Sequence, residues 1–402
     1  MSELQSVEAA LASLLQGVTP LEGESVASEL AAGRVLADEV IARLDVPPFD
    51  NSAMDGYALH HEDAGGRLPI AQRIAAGSEP QPLARGTCAR IFTGAPLPPG
   101  ADCVVMQEKV ELDGDVASIP GQVPWDNNVR HRGSDVNAGS TLLSRGHRLD
   151  AAALGFLASQ GIVEVAVCRR PRVALLTSGN EIVEPGQPLE PGQIYNSNRP
   201  MLKALLEQFG ADVGFIASMP DDADGTRAML ALAAEQADVV VSTGGVSVGE
   251  EDHVKPAIEA IGRLDLWRLA LKPGKPLALG RLDASDGREV RFVGLPGNPV
   301  SSFVAAWLFL RPLMGALLGC PRFANLPKFH ARAAFDTRTG PRRHYMRVAL
   351  NMAEGEVTAH AFPDQGSGVL ASCVGADALA LIPADTHIAE GDSVECLWLR
   401  GG

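Results

Sequence analysis

RVALLTSG, residues 172–179, decides the fold of this chain. Its apolar run is short, carries no charge after Arg172, and ends on Thr177, Ser178 and Gly179. A run too brief for a helix and without polar alternation reads as a strand buried on both faces, ending in a loop. The same pattern recurs downstream. RPMLKALLEQFG (199–210) is a helix closed by Gly210, ADVGFIASM (211–219) a strand, TRAMLALAAEQ (226–236) a helix and ADVVVSTGG (237–245) another apolar strand. VRFVGLPGNP (290–299) then leads into the helix SSFVAAWLFL (301–310). Strands alternating with helices predict a doubly wound, mostly parallel α/β domain over 171–324.

Around that domain the texture changes. Apolar positions Val7, Leu11, Leu14 and Leu15, then Val26, Leu30 and Val35, predict short amphipathic helices that stop before Pro47 and Pro48. Between 56 and 135, short apolar runs punctuated by Gly and Pro predict a β-rich module. Helical patterning returns in DAAALGFLASQG (150–161). The arrangement implies a discontinuous helical, dimer-forming domain, 1–46 with 136–170, carrying an inserted β-rich module at 47–135. Runs such as ALALIPA (378–384) and SVECLWL (393–399) predict a small C-terminal β domain over 325–402. The fold class is therefore multidomain, α/β plus β.

Composition narrows the function. With 402 residues the chain can bury several cores, and a net charge of −15 with 5% aromatic residues argues against nucleic-acid binding. The six cysteines include no C-x-x-C pair and suggest buried thiols. The N-terminus lacks the features of a signal peptide. FVAAWLFLRPLMGALLG (303–319) is interrupted by Arg311-Pro312 and is too short to span a bilayer, so no membrane is expected and the location is expected to be cytoplasmic.

In open parallel sheets ligands bind beyond the carboxyl ends of the strands, which makes three loops informative. TSGNE (177–181) offers hydroxyls on Thr177 and Ser178, a permissive Gly179 and the carboxylate of Glu181, although an ordinary strand-to-helix turn would use the same residues. STGGVSVGEEDHVK (242–255) has Gly244, Gly245 and Gly249 for tight turns and Ser242, Thr243 and Ser247 as hydroxyl donors, with Asp252 close behind. A carboxylate beside an anion cradle makes sense if a divalent cation bridges them. VGLPGNPVSSF (293–303) places Asn298 as a helix N-cap and Pro299 at the first helical position, beside Pro296. That first turn is a ready anion site, and a well-capped core helix explains it equally. LALKPGKPLALG (269–280) adds Lys272 and Lys275 on a Pro-Gly turn. His60-His61-Glu62-Asp63 reads as a surface loop, with no second ligand pair at workable spacing. These residues predict a phosphorylated or nucleotide-like ligand with a divalent cation and leave the reaction open.

FDNSAMDGYA (49–58), TGAPLPPGAD (93–102), TSGNE, STGGVSVGEEDHVKP, LKPGKP and GLPGNPVS, in that order, resemble the molybdopterin molybdotransferase family, the MoeA-type enzymes related to the gephyrin E domain. The resemblance runs from about residue 5 to 400. It implies molybdenum cofactor biosynthesis: insertion of molybdate, as substrate, into adenylylated molybdopterin, with Mg²⁺-dependent release of AMP. It also implies an elongated homodimer whose cleft lies between the inserted module of one subunit and the sheet and C-terminal domains of the other. The molybdopterin adenylyltransferase and molybdoenzyme apoproteins would be further partners. By matching motif, Asp55, Thr93 and Asp135 (in RHRGSD) would face the cleft from the inserted module. Glu181, Asp252, Lys272, Lys275, Pro296, Pro299 and one of Asp221 and Asp222 would face it from the sheet domain. Arg347 (in HYMR) and Ser367 (in QGSG) would come from the C-terminal domain. The expected catalytic groups are Asp55, Glu181, Asp252, Lys272 and Lys275, with Asp55, Glu181 and Asp252 as metal ligands. Ser178, Gly244, Gly245, Ser247 and Asn298 would cradle substrate. Asn180 and Arg268 depart from the family pattern, with Asp and Lys the residues they replace. The alternatives are a molybdopterin adenylyltransferase, which would not need the inserted module, and a non-catalytic gephyrin-like scaffold, which would be expected to bring an appended linker and partner domain.

Overall fold

The computed structural model describes residues 5–245, 253–274, 276–353 and 355–399, without the side chains of 266–268 and 276. Ser247, Asp252 and Lys275 lie outside the described residues.

The α/β domain is a six-stranded sheet. Its strands are β1 (Arg172–Thr177), β2 (Asp212–Ser218), β3 (Val239–Thr243), β4 (Gly262–Arg268), β5 (Pro276–Asp283) and β6 (Glu289–Leu295). They lie in the order β2-β1-β3-β6-β5-β4. The first four in that order are parallel, and β5 and β4 extend the sheet antiparallel. In β1, Val173 and Leu175 face one core while Ala174 and Leu176 face another. Two-sided burial is the reason the strand reads as unbroken apolar sequence. Helices Asn198–Gln208 and Pro299–Ala305 cover the first face, and Ala223–Gln236 and Val254–Ile261 the second. From β1 the chain crosses to β2 on one side, and from β3 to β6 on the other. The carboxyl ends of β1 and β3 therefore flank the topological switch point, where open α/β sheets leave a crevice.

Helix Pro299–Ala305 continues through a π-helical stretch, Ala306–Leu310, into Arg311–Leu317. The break expected at Arg311-Pro312 does not occur, because the wider turn accommodates the proline without ending the helix. The whole segment Pro299–Leu317, 19 residues, has the length and apolarity of a membrane span, yet 89% of its most apolar window is buried inside the molecule. It is the central core helix. Arg311 is buried and donates to the carbonyls of Phe323 and Asn325, both at 2.8 Å, and of Arg322 at 3.1 Å.

In the discontinuous domain, Gly23–Ala27 pairs antiparallel with Glu164–Cys168, and Val40–Ile41 with Thr141–Leu143. Ala31, Leu36, Leu149, Leu157 and Val167 form its core, with Ala151–Ser159 as its α-helix among the described residues. The segment with Val26 and Leu30, expected as helix, is the strand Gly23–Ala27 and the 3₁₀ turn Ser28–Leu30. Its apolar spacing suits a helix, but a ladder partner far along the chain overrides local preference. The first helix, Val7–Leu15, is capped by Ser6 and lays Val7, Ala10 and Leu14 into the α/β core beside Leu205 and Leu317.

The inserted module holds a six-stranded sheet built on Gly56–Leu59, which pairs with Cys88–Ile91 and Cys103–Met106. In the C-terminal domain, Lys328–Ala333, Arg343–Ala353, Glu356–Ala361, Ala378–Ile382 and Ser393–Trp398 pair in a closed ring, because Arg343–Ala353 bonds both Glu356–Ala361 and Ala378–Ile382. The short strand Leu271–Lys272 of the α/β domain joins this ring in parallel at Arg343 and His344.

Candidate active site

A cavity of about 490 Å³ opens at the switch point. Ser178, Glu181, Gly244, Gly245, Pro296 and Asn298, all candidates from the sequence, line it. The walls come from three loops held together through buried polar groups. Asn198 Nδ2 donates to Thr243 Oγ1 at 2.8 Å and to the Gly297 carbonyl at 2.7 Å, fastening the loop after β3 to the loop after β6. Ser178 N–H donates to the Thr243 carbonyl at 3.1 Å, tying in the loop after β1. Gly244 has φ +83°, and a Cβ there would lie 2.7 Å from the Ser178 carbonyl oxygen, so the close approach of these loops requires glycine.

Asn198 Oδ1 and Ser301 Oγ line this cavity, are buried, and have no hydrogen-bond partner among the described residues. Buried polar atoms are nearly always paired, so two unpaired ones in residues of the cavity wall mark where a ligand or a bound water would be expected to bond. Glu181 lies over Gly179, where a Cβ would meet its Oε2 at 2.6 Å. No cation or donor among the described residues takes its carboxylate. Asp221 also lines the cavity and accepts from Asn180 Nδ2 at 3.2 Å. Asp222 instead caps helix Ala223–Gln236 through Gly225 N–H at 2.8 Å, so of the two aspartates Asp221 belongs to the site. An Asp at position 180 would repel Asp221; the asparagine bonds it.

Three regions of this chain match known family models. Residues 5–161 match the MoeA N-terminal region (domain I and II), 174–316 a probable molybdopterin binding domain, and 330–399 the MoeA C-terminal region (domain IV). A protein of Haemophilus influenzae named Molybdopterin molybdenumtransferase is 36% identical over 383 residues, 93% of this chain and 93% of its own length. The chain belongs to the MoeA family. Another Molybdopterin molybdenumtransferase, from Nostoc, is 36% identical across 92% of this chain and 87% of that relative. The crystal structure of a molybdopterin biosynthesis MoeA protein from Pyrococcus horikoshii superposes with TM-score 0.81 at 33% identity, covering all of both chains.

Other residues expected of a MoeA protein fall in different places. Asp55 Oδ1 accepts from both the N–H and the hydroxyl of Thr93, each at 2.7 Å, and the Thr93 N–H is the first cause holding its carboxyl below the usual carboxylate range. The pair sits in the inserted module, and no residue of that module lines the sheet cavity. Asp135 is exposed and lines a separate hollow of about 470 Å³ with His147, Asp150 and Phe156. Lys272 is exposed, two residues before cavity-lining Gly274.

Two assignments need correction. Arg347, expected to face substrate, is fully buried within this chain, and its guanidinium donates to Ser372 Oγ at 3.0 Å and to the carbonyls of Gln365, Gly366 and Asp364 at 3.1, 3.1 and 3.3 Å. It shapes the loop whose Ser367 carbonyl accepts from Val300 N–H at 3.1 Å, at the start of the core helix. One donor of that first turn is therefore occupied and is not open to an anion. The second correction concerns Asn298. It stands at the N-cap, but its side chain makes no cap hydrogen bond and lines the cavity. Asn298→Ala is therefore expected to shift stability by less than about 0.5 kcal/mol, below the usual loss for a cap, while raising KM for the pterin substrate. Chemical denaturation beside steady-state kinetics checks this.

Asn196 and Asn198, at the start of a helix, and Ser301 within one were missed from sequence. Their polarity suits ordinary helix ends, and only the tertiary fold turns them to the cavity.

His344, which pairs in register with Lys272, is buried with Nε2 unpartnered among the described residues. Burial, then the charges of Lys272, Arg347 and Arg342, push its pKa down to about 4. Because the folded value is depressed below the ordinary 6.5, the unfolded chain takes up the proton first, and stability falls as pH drops from about 6.5 towards 4. The loss should reach about 3 kcal/mol. Urea unfolding at pH 7 and pH 4.5 should show it, and His344→Gln should flatten that dependence.

Proposed function

We propose that this MoeA-family enzyme inserts molybdenum from molybdate into adenylylated molybdopterin, with Mg²⁺, and releases AMP. The observation that carries the proposal is the switch-point cavity, lined by Asn198 and Ser301, each with a buried polar atom unpaired among the described residues, and by Glu181, whose carboxylate meets no cation among them. Glu181 and Asp221 offer hard oxygen donors on one wall and fit a small divalent cation. Bound there, Mg²⁺ would supply Lewis-acid stabilisation of phosphate oxygens. The hydroxyls of Ser178 and Ser301 orient the ligand by donating to its oxygens, and the glycine turn lets it approach the backbone. Cleavage of the pterin–AMP phosphoanhydride builds charge on the departing phosphate, which Lys272 offsets from the rim. Asp252 and Lys275, which lie outside the described residues, would join this acid and base set on the strength of their motifs alone.

The working enzyme is proposed as a cytoplasmic homodimer. Leu30, Ile41, Leu44 and Val163 of the discontinuous domain are exposed, Leu30 at 76% and Val163 at 73%, which suits a face covered by a second copy. Dimerisation would also bring Asp55 and Thr93 to a cavity they do not line within one chain.

Purified enzyme incubated with adenylylated molybdopterin, molybdate and Mg²⁺ should release AMP only when molybdate is present. Equal release without molybdate would identify a plain phosphoanhydride hydrolase and overturn the proposal.

A further inference from the structure

The His60-His61 pair meets a third ligand that sequence spacing hides. Strand Gly56–Leu59 runs antiparallel to Cys103–Met106 with Leu59 opposite Cys103, so the next residues outward, His60 and Asp102, face each other at the end of the ladder. Asp102 N–H donates to the Leu59 carbonyl at 3.1 Å and holds that end closed. Asp102 Oδ1 accepts from the His61 N–H at 2.7 Å, which turns Oδ2 towards both imidazoles: 2.6 Å from His61 Nδ1 and 3.5 Å from His60 Nε2. One ligand atom from each of the three lies within 4.8 Å of the others, and all three side chains are partly exposed, so an ion can reach them.

We infer that His60, His61 and Asp102 form a binding site for a borderline transition-metal dication such as Zn²⁺, separate from the Mg²⁺ expected at the sheet cavity. Two imidazoles and a carboxylate suit Zn²⁺, Co²⁺ or Ni²⁺, whereas Mg²⁺ prefers oxygen donors and octahedral geometry. The neighbouring carboxylates of Glu62 and Asp63 are paired with Arg85, which leaves Asp102 as the anionic ligand of the cluster. Without an ion His60 Nδ1 accepts from the Glu62 N–H at 3.3 Å; coordination at Nε2 requires the ring proton on Nδ1, where Glu62 Oε2, 3.9 Å away, is the nearby carboxylate in the outer shell. Binding displaces the proton shared between His61 Nδ1 and Asp102. A hydrogen-bonded turn without metal accounts for the His61 contacts; His60 Nε2, 3.5 Å from the same oxygen, lies beyond ordinary hydrogen-bond length and is close enough for one ion to bridge the two. The bound ion would clamp the far end of the strand that begins after Asp55, and so stiffen the inserted module.

The full chain, stripped of metal and held in excess Mg²⁺, is titrated with Zn²⁺ by calorimetry. The wild type should bind one equivalent whose affinity falls at least about tenfold in His60→Gln and in Asp102→Asn. Co²⁺ should give visible absorption bands in the wild type that His60→Gln removes. His60→Gln alters a partly exposed side chain outside the proposed cleft, so folding and AMP release should persist and keep the test valid should Asp102→Asn fail to fold. Absence of Zn²⁺ binding in the wild type, or equal affinity in His60→Gln, overturns the site.

Discussion

Mixing two inactive variants, Asp55→Ala and Glu181→Ala, under subunit exchange is expected to restore AMP release to about a quarter of the wild-type rate. Half the dimers would be mixed, and each mixed dimer would have one intact cleft of two. Each variant alone should be at least about a hundredfold slower, the scale of losing a general acid–base or charge-stabilising group. The expectation rests on a division seen in the fold. Asp55 is fixed by Thr93 in the inserted module, whereas Glu181 lines the sheet cavity, whose walls include nothing from that module. Stopped AMP assays on the mixture measure it. If the mixture stays inactive while co-purification of differently tagged subunits shows mixed dimers, Asp55 serves the cavity of its own chain or none.

Arg347→Met should destabilise the C-terminal barrel by about 3 kcal/mol or more, and chemical unfolding should show it directly. Methionine fills the space but removes the charged donor that bonds the carbonyls of Asp364, Gln365 and Gly366 and the Ser372 hydroxyl, and hydrogen bonds to a charged group are worth about 1.5–3 kcal/mol each. Activity should fall as well, because the freed loop no longer holds the Ser367 carbonyl against Val300 N–H. A variant as stable as wild type yet inactive would return Arg347 to the role of a substrate ligand.

The α/β domain was legible because burial on both faces leaves β1 and β3 as unbroken apolar text. The start of the discontinuous domain was not, since Val26 and Leu30 repeat at a spacing that suits helix, and Glu164–Cys168, which makes the segment a strand, is remote in sequence. The loops of the site could be read from their glycines and hydroxyls, as Ser178, Gly244, Gly245 and Pro296 show. Asn198 and Ser301 could not, because an asparagine or serine at a helix start looks alike whether it caps the helix or faces a ligand. Asp102 was out of reach for the same kind of reason: only the register of two strands brings it to His60.

The short strand Leu271–Lys272 has a consequence for chimaeric proteins. It is encoded between two strands of the α/β sheet but bonds Arg343 and His344 of the barrel, and Arg342 donates to the Leu271 carbonyl at 3.1 Å. The position of the Lys272 ammonium is thus inherited from the C-terminal domain. Grafting a barrel from a distant relative onto this chain would re-aim the Lys272 charge, two residues before cavity-lining Gly274, without altering any residue of the α/β domain. Recombination between relatives should therefore preserve function only when the two segments are exchanged together.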